Sequence, residues 1–165
     1  MRIVLQKVSQ ASISIDPEES MPETVGFNKK ALSERSIEQG FVLLVGVEDA
    51  DTDADVEWAA KKIANMRIFE DDNGKMNLSI LDVSGSILSV SQFTLYANIR
   101  KGNRPGFTEA GAPEHAEKMW NKLNATLSNE YGISVTTGIF ASHMHIELNN
   151  DGPVTIIVDT AIMRS

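Results

Sequence analysis

The sequence has no cysteine, no long apolar run and no excess of positive charge, and each shortage excludes a class of protein. Without cysteine there are no disulfides, thiolate metal sites, iron–sulfur clusters or thiol nucleophiles. No apolar run approaches the roughly 20 residues that a membrane-spanning helix needs, and the first residues lack the apolar core of a signal peptide. The net charge of −8 argues against a protein that coats nucleic acid non-specifically. We therefore expect a cytoplasmic protein without a membrane partner.

What is present is a globular composition, with 42 % hydrophobic and 23 % charged residues. Because domains typically hold about 100–200 residues, we expect residues 1–165 to form a single domain with a sizeable core. One stretch, at about 16–39, contains two prolines and clusters of charge. These features predict an exposed insertion within that domain.

Hydrophobic periodicity predicts two helices, at 53–69 and 113–127. Alternating or continuous apolar residues predict strands. The predicted strands lie at 1–15 (two strands or one bent strand), 41–47, 86–96 running into a loop, 133–135, 139–148 and 154–158. This order indicates an α+β fold, with the two helices packed on a mixed or mostly antiparallel sheet.

Two groups of residues have the types of side chain that bind metals, but neither has a complete pattern. Four alternating aspartates resemble a calcium-binding loop, yet alanine stands where that loop requires glycine and glutamate; they are Asp49, Asp51, Asp53 and Asp55. We interpret them as the solvated start of a helix. His143 and His145 fall on one face of a strand, but no third ligand is nearby. A structural or rim position is the favoured interpretation, and no metal or other cofactor is expected.

Two further segments contain more polar residues than a core requires. Residues 91–96 (SQFTLY) end a strand with hydroxyl and amide groups, and backbone N–H groups at such a bend can stabilise an oxyanion. The alternative is a buried strand whose hydroxyls bond neighbouring backbone groups. Residues 149–155 (NNDGPVT) contain Gly152-Pro153 between two strands. This pair indicates either a hairpin turn or, if the bond is cis, a rigid pair of carbonyl acceptors.

These segments resemble the D-aminoacyl-tRNA deacylases of the bacterial and eukaryotic cytosolic type. Matching pieces occur in family order along nearly the whole chain: MRIVLQKVSQAS (1–12), FVLLVGV (41–47), RIFE (67–70), GKMNLS (74–79), SVSQFTLY (89–96), KGNRPGF (101–107), TGIF (137–140) with Met144, and NDGPVT (150–155). The resemblance implies hydrolysis of the ester in D-aminoacyl-tRNA, at a barrel-like sheet, with glycyl-tRNA as a further substrate. The insertion at 16–39 and the two histidines are departures from the family pattern.

The resemblance also implies how the substrate is selected. Gly152 and Pro153, joined by a cis bond, would enter the active site of the partner subunit in a homodimer. Their carbonyls would hold the α-amino group of the D-amino acid, and an L side chain would collide with them. Asn150 and Thr155 belong to the same motif and are expected to bind substrate with them.

The other half of the implied site comprises Ser91, Gln92, Phe93 and Thr94, with Met144 lining an adenine pocket. Phe93 would offer its backbone N–H to the ester carbonyl, while Ser91 and Gln92 position the terminal adenosine. No base stands beside Thr94 in the chain, which argues against a threonine nucleophile. The resemblance implies instead that water attacks, assisted by the 2′-hydroxyl of the tRNA.

The tRNA itself is expected to meet cations, since its acceptor end carries phosphates. Arg100, Lys101 and Arg104 follow the proposed catalytic strand and are candidates for these contacts. A different class of function, a binding module for the tRNA 3′ end without catalysis, remains as the alternative.

Overall fold

A long strand organises the fold, in a computed structural model that describes residues 1–15 and 34–164. Strand β1 (Arg2–Ile15) pairs antiparallel with β8 (Met144–Asp159) over almost its whole length. Its first half also pairs with β3 (Gly40–Gly46), and its second half with β2 (Glu34–Ile37). Of the two alternatives for residues 1–15, the structure shows one strand rather than two. Its pairing with β8 shifts register on both sides of Val8.

Beyond β3 the sheet continues with parallel strands. Strand β6 (Ser86–Ser91) pairs parallel with β3, and β7 (Ser134–Thr137) pairs parallel with β6. A separate ribbon is formed by β4 (Phe69–Glu70) and β5 (Met76–Leu78). The sheet is thus mixed and curls into a nearly closed, barrel-like form, as predicted.

Two helices pack on this sheet and enclose the larger of two apolar clusters. Helix α1 (Asp53–Asn65) and helix α2 (Pro113–Asn129) bury Ile63 and Leu123 against Phe41 and Leu43 of the sheet. The smaller cluster lies on the other face of the sheet and contains Val42. Consecutive residues of β3 therefore belong to different clusters, which explains its continuous apolar sequence.

Helix α1 is fixed at its start by its own polar residues. The Asp55 carboxylate accepts hydrogen bonds from the backbone N–H and the hydroxyl of Thr52, at 2.9 and 2.8 Å. A carboxylate at this position accepts from a backbone N–H that would otherwise lack a partner. Its negative charge is also stabilised by the positive end of the helix dipole. The helix ends at Asn65, earlier than predicted, because the following residues turn into β4.

The structure corrects three further predictions. Strand β6 ends at Ser91 rather than running on, and Phe93–Tyr96 forms a 3-10 turn. Residues 34–37, assigned to the exposed insertion, form β2 with Ile37 buried, while 16–33 lie outside the described residues. The Gly152-Pro153 pair does not join two hairpin strands, because β8 is one strand that pairs with β1 on both sides of it.

Candidate active site

A cavity of about 680 Å³ opens where β6 ends, beside the start of α2. Its lining comes from the ends of β3 and β6, from residues 107–120 and from the turn that leads into β8. Among the predicted site residues, the structure brings four to this cavity: Ser91, Gln92, Phe93 and Met144. Most of the remaining lining is apolar, which is typical of a pocket for a small organic group.

The 3-10 turn Phe93–Tyr96 presents its N-terminal end at this cavity. Its first hydrogen bond runs from Leu95 N to the carbonyl of Gln92. The N–H groups of Phe93 and Thr94 precede that bond and have no acceptor within the turn. The turn is held in place on the sheet because Gln92 N donates to the carbonyl of Val45 at 2.7 Å. This geometry leaves two oriented donors near the cavity.

The Thr94 hydroxyl does not face a general base in the described part of the chain. Its hydrogen-bond partner is the Gln92 side-chain amide, which donates to Thr94 Oγ1 at 2.5 Å. An amide cannot take up the proton of an attacking hydroxyl, so this pair does not activate Thr94 as a nucleophile. Thr94 is exposed and is not part of the cavity lining, unlike its neighbour Phe93.

The opposite wall depends on Gly138, which sequence reasoning did not single out. A Cβ atom at Gly138 would lie 2.6 Å from Met144 Sδ, so the Met144 side chain occupies space that only glycine leaves free. The guanidinium of Arg35, in β2, donates to the carbonyl of Thr137 immediately before this glycine. In the turn that follows, Ala141 has a φ of +59° and also lines the cavity.

Aromatic side chains form the floor and the rim. Trp120 is buried on α2, and its indole N–H donates to the Ser89 hydroxyl at 2.9 Å. At the rim, the rings of Phe93 and Phe107 meet edge to face at 5.0 Å between centroids. Phe93 is nevertheless 57 % exposed.

The three predicted tRNA-contact cations share one hairpin beside this rim. Asn98 and Gly106 close the hairpin with two backbone hydrogen bonds of 2.7 and 2.9 Å, and Phe107 follows directly. Arg100, Lys101 and Arg104 are exposed within it. The hairpin is therefore anchored to the cavity through the contact between Phe107 and Phe93.

The Gly152-Pro153 pair lies elsewhere, in a bulge of β8. Thr155 pairs with Gln6, and Asn150 pairs with Val8. The partners in β1 are two positions apart, whereas Asn150 and Thr155 are five positions apart in β8, so the residues between them bulge out of the strand. The peptide bond is cis, and both residues are exposed. Neither lines the cavity of its own chain, and the same holds for the remaining motif residues Asn150 and Thr155.

Asn150 and Thr155 hold the two ends of this bulge together. The Asn150 amide donates to the Thr155 hydroxyl at 3.1 Å and accepts from the Val154 N–H at 3.2 Å. The structure therefore shows them bracing the bulge. At its base, the buried Lys7 forms an ion pair of 3.1 Å with Asp151.

The residues considered for metal binding have separate contacts. Asp49 accepts from Ala112 N, Asp51 pairs with the buried amino group of Met1, and Asp53 forms an ion pair with Lys122 of α2. The hydrogen bond from Lys122 lowers the pKa of Asp53. The rings of His143 and His145 meet edge to face at 5.0 Å between centroids, and His143 lines the cavity. Within residues 1–15 and 34–164, no group of three such side chains is placed to hold a metal ion.

Comparison with known proteins identifies the family of this chain. The family model described as D-Tyr-tRNA(Tyr) deacylase matches residues 4–159. The chain belongs to the D-Tyr-tRNA(Tyr) deacylase family. A deacylase of Bifidobacterium adolescentis, described as D-aminoacyl-tRNA deacylase, is 55 % identical over 97 % of both chains. One from Bifidobacterium longum is 49 % identical over 97 % of this chain and 94 % of its own.

Two solved structures share the deacylase fold. One, described as c-Myc DNA Unwinding Element Binding Protein, superposes with a TM-score of 0.81 and 34 % identity, covering 96 % of this chain and 98 % of its own. Another, described as a probable eukaryotic D-amino acid tRNA deacylase, has a TM-score of 0.74 at 15 % identity, over 95 % and 97 % of the two chains, and shows the fold alone.

Membership of the deacylase family confirms two predictions made from the sequence. The resemblance was correct, and the chain is an enzyme of the hydrolase class that acts on ester bonds. Within the described residues, no helix is long and apolar enough to cross a membrane.

Proposed function

We propose that this protein removes D-amino acids from tRNA by hydrolysing the ester to the 3′-terminal adenosine, and that it rejects L-aminoacyl-tRNA. Glycyl-tRNA, which has no side chain to reject, is a further substrate in this proposal. The acceptor end of tRNA is the partner, the cytoplasm is the site of action, and no cofactor takes part. The observation that supports this proposal best is the junction of the SQFT segment with the apolar cavity.

The chemistry follows from the groups at that junction. The N–H groups of Phe93 and Thr94, which precede the first bond of the turn, are available to an ester oxyanion. Ser91 and Gln92 line the cavity beside them, and Met144 lines the wall where adenine would lie. The Thr94 hydroxyl pairs with an amide, which supports water as the attacking group. As the resemblance to the family implies, the 2′-hydroxyl of the substrate assists that water.

Chiral selection is assigned to Gly152 and Pro153 of a second copy of the chain. Both are exposed and lie outside the cavity lining of their own chain, which supports a homodimer in which each copy inserts its bulge into the other's site. Backbone carbonyls there would bind the α-amino group and leave no room for an L side chain. Such selection is independent of which side chain the substrate has, because it acts by exclusion.

The first test compares hydrolysis of D-tyrosyl-tRNA, L-tyrosyl-tRNA and glycyl-tRNA by the purified protein. We expect rapid loss of the D and glycyl esters and survival of the L ester. Loss of all three would retain the esterase but contradict selection by Gly152 and Pro153. Binding of tRNA without loss of any ester would instead establish the non-catalytic binding module.

Gly152→Ala tests the selective bulge directly. The φ of Gly152 is +128°, and an added Cβ would lie 2.7 Å from Val154 Cγ2, so the backbone must shift. We expect D-tyrosyl-tRNA hydrolysis to fall roughly tenfold or more, since misplacement by about 1 Å can cost that much. Gly74→Ala is the matched control: φ is +72°, the space around it is open, and it lies outside the cavity lining. Equal rates for both variants would contradict the assignment.

A further inference from the structure

Arg2 lies behind the 3-10 turn that presents its N–H groups at the cavity. It stands in the middle of the sheet, where β1 pairs with β3 on one side and with β8 on the other. Its partner in β3 is Gly46, and its partner in β8 is Asp159. The side chain is 40 % exposed, so it extends across the surface of these strands rather than into the core.

The guanidinium of Arg2 joins three groups around the far end of the turn. Its Nη1 donates to the carbonyl of Leu95 at 3.0 Å, and its Nε donates to Asp159 Oδ2 at 3.1 Å. Its Cζ also lies 4.9 Å from the centroid of the Tyr96 ring. A planar guanidinium can form these contacts together because its donors point in fixed, different directions.

The strand partner of Arg2 explains why the turn fits there. A Cβ atom at Gly46 would lie 3.1 Å from Leu95 Cβ and 3.2 Å from the Tyr96 ring. The turn therefore packs directly on the backbone of β3 at Gly46, which has no side chain. Gly46 leaves the space that the turn occupies. The Arg2 side chain, on the neighbouring strand β1, contacts the turn from the side.

The charge of Arg2 also suits this position. The carbonyl end of a helical turn has partial negative charge, and a cation there is favourable. Burial alone would raise the pKa of Asp159, but hydrogen bonds from Ala161 N–H and Arg2 outweigh it and lower the pKa. The aspartate therefore stays ionised and continues to orient the guanidinium at neutral pH.

We propose that Arg2 is a positioning residue for the deacylation reaction, which it serves by fixing the carbonyl end of the turn Phe93–Tyr96. The N–H end of that turn, at Phe93 and Thr94, then keeps its place at the cavity. This proposal rests on the proposed function, since it gives those N–H groups their task as oxyanion donors. Arg2 itself does not touch the substrate.

The test replaces Arg2 by methionine and, separately, by lysine. Arg2→Met keeps the length of the side chain but removes every donor, so we expect kcat for D-tyrosyl-tRNA to fall roughly tenfold or more. KM should change by less than about twofold, because adenosine-binding groups are untouched. Arg2→Lys retains the charge, but its donors all lie on one nitrogen and do not reproduce the planar guanidinium that contacts Leu95 and Asp159 together, so it should recover part of kcat.

Arg67→Met is the matched control. Arg67 Nε donates to the carbonyl of Asn77 at 2.7 Å, so the same kind of bond is lost, but in the β4–β5 ribbon. Loss of this exposed hydrogen bond should leave kcat of Arg67→Met unchanged. If Arg2→Met does not fold, the lysine variant provides the same comparison with a smaller change.

Amide hydrogen exchange provides a readout that does not depend on activity. The amides of Leu95 and Ala97 close the turn, with acceptors at 3.3 and 3.0 Å. They should exchange faster in Arg2→Met than in the natural protein and in Arg67→Met. Unchanged exchange, or a kcat within twofold of the natural value, overturns the proposal. If the natural protein hydrolyses no ester, the proposed function fails, while exchange still decides whether Arg2 holds the turn.

Discussion

At the residue scale, Gly138 and Met144 illustrate how one missing side chain shapes a binding wall. Met144 was predicted to line the adenine pocket, and it does line the cavity. What places it there is the space over Gly138, where a Cβ would come within 2.6 Å of its sulfur. The two residues are six positions apart, and only their packing relates them.

Gly138→Ala is therefore expected to change substrate binding more than stability. Methionine has three rotatable bonds and can move away, so the free energy of unfolding should fall by only about 1 kcal/mol. The displaced side chain alters the cavity wall, and KM for D-tyrosyl-tRNA should rise several-fold. Urea denaturation and steady-state kinetics measure the two effects.

Gly106→Ala is the control for this substitution, because the nearest atom to its added Cβ is Asn98 O at 3.9 Å. It should leave the free energy of unfolding near its natural value and is the control for the stability measurement. A Gly138→Ala variant with unchanged KM and reduced stability would show that Met144 does not contact the substrate.

At the scale of an element, the hairpin closed by Asn98 and Gly106 combines a rigid base with an exposed basic tip. The base is fixed by paired backbone bonds and by the contact of Phe107 with Phe93. The protein as a whole has a net charge of −8, so a polyanion would approach it against repulsion except at a local cationic surface. This hairpin provides such a surface next to the cavity.

Replacing Arg100, Lys101 and Arg104 together by glutamine should weaken tRNA binding without changing kcat. Each phosphate contact contributes about 0.7 to the slope of log affinity against log salt for a single strand, so the slope should fall by about 2. The measurement is KM for D-tyrosyl-tRNA across a salt series. Glutamine at Lys61, Lys62 and Lys75 removes the same charge elsewhere, and an equal loss there would indicate a general field effect.

At the scale of the whole molecule, several aspartates link stability to pH. Hydrogen bonds from the Ser79 hydroxyl and N–H lower the pKa of Asp82. Backbone donors of Lys75 and Asn73 do the same for Asp71. When the folded state has the lower pKa, the carboxylate stabilises it above the unfolded value, near 3.8. That contribution is lost as the pH falls through the folded pKa.

Asp82→Asn should therefore be less stable than the natural protein at pH 7, and the difference should shrink as the pH falls below 3.8 through the lowered pKa of Asp82. The amide retains an acceptor oxygen but lacks the charge that favours donors from Ser79. Urea midpoints measured between pH 7 and 3 give the comparison. Asp72→Asn, at an exposed neighbour of Asp71, should follow the natural curve; a pH-independent deficit in Asp82→Asn would argue against this linkage.

The sequence by itself determined the elements with strong periodicity and the family. Apolar spacing placed both helices, and the order of elements predicted the α+β class with its mixed sheet. SQFT and NDGPVT identified the deacylase family because both segments resemble motifs of that family and occur in the same order. The sequence predicted the ends of helices and strands less well where tertiary contacts decide them. Residues 92–96 have the β-prone composition of a strand, yet packing on Gly46 turns them into a 3-10 helix.

Tertiary structure alone decided which distant residues share a site. The cavity joins the end of β6 to Trp120 and Met144, and its turn is held by Arg2, more than 90 positions earlier in the chain. It also placed Gly152 and Pro153 outside the cavity of their own chain. The physical reason is that periodicity reports only which face of an element is apolar. Which faces meet depends on sheet register and on the space that glycines leave, and neither is a local property of sequence.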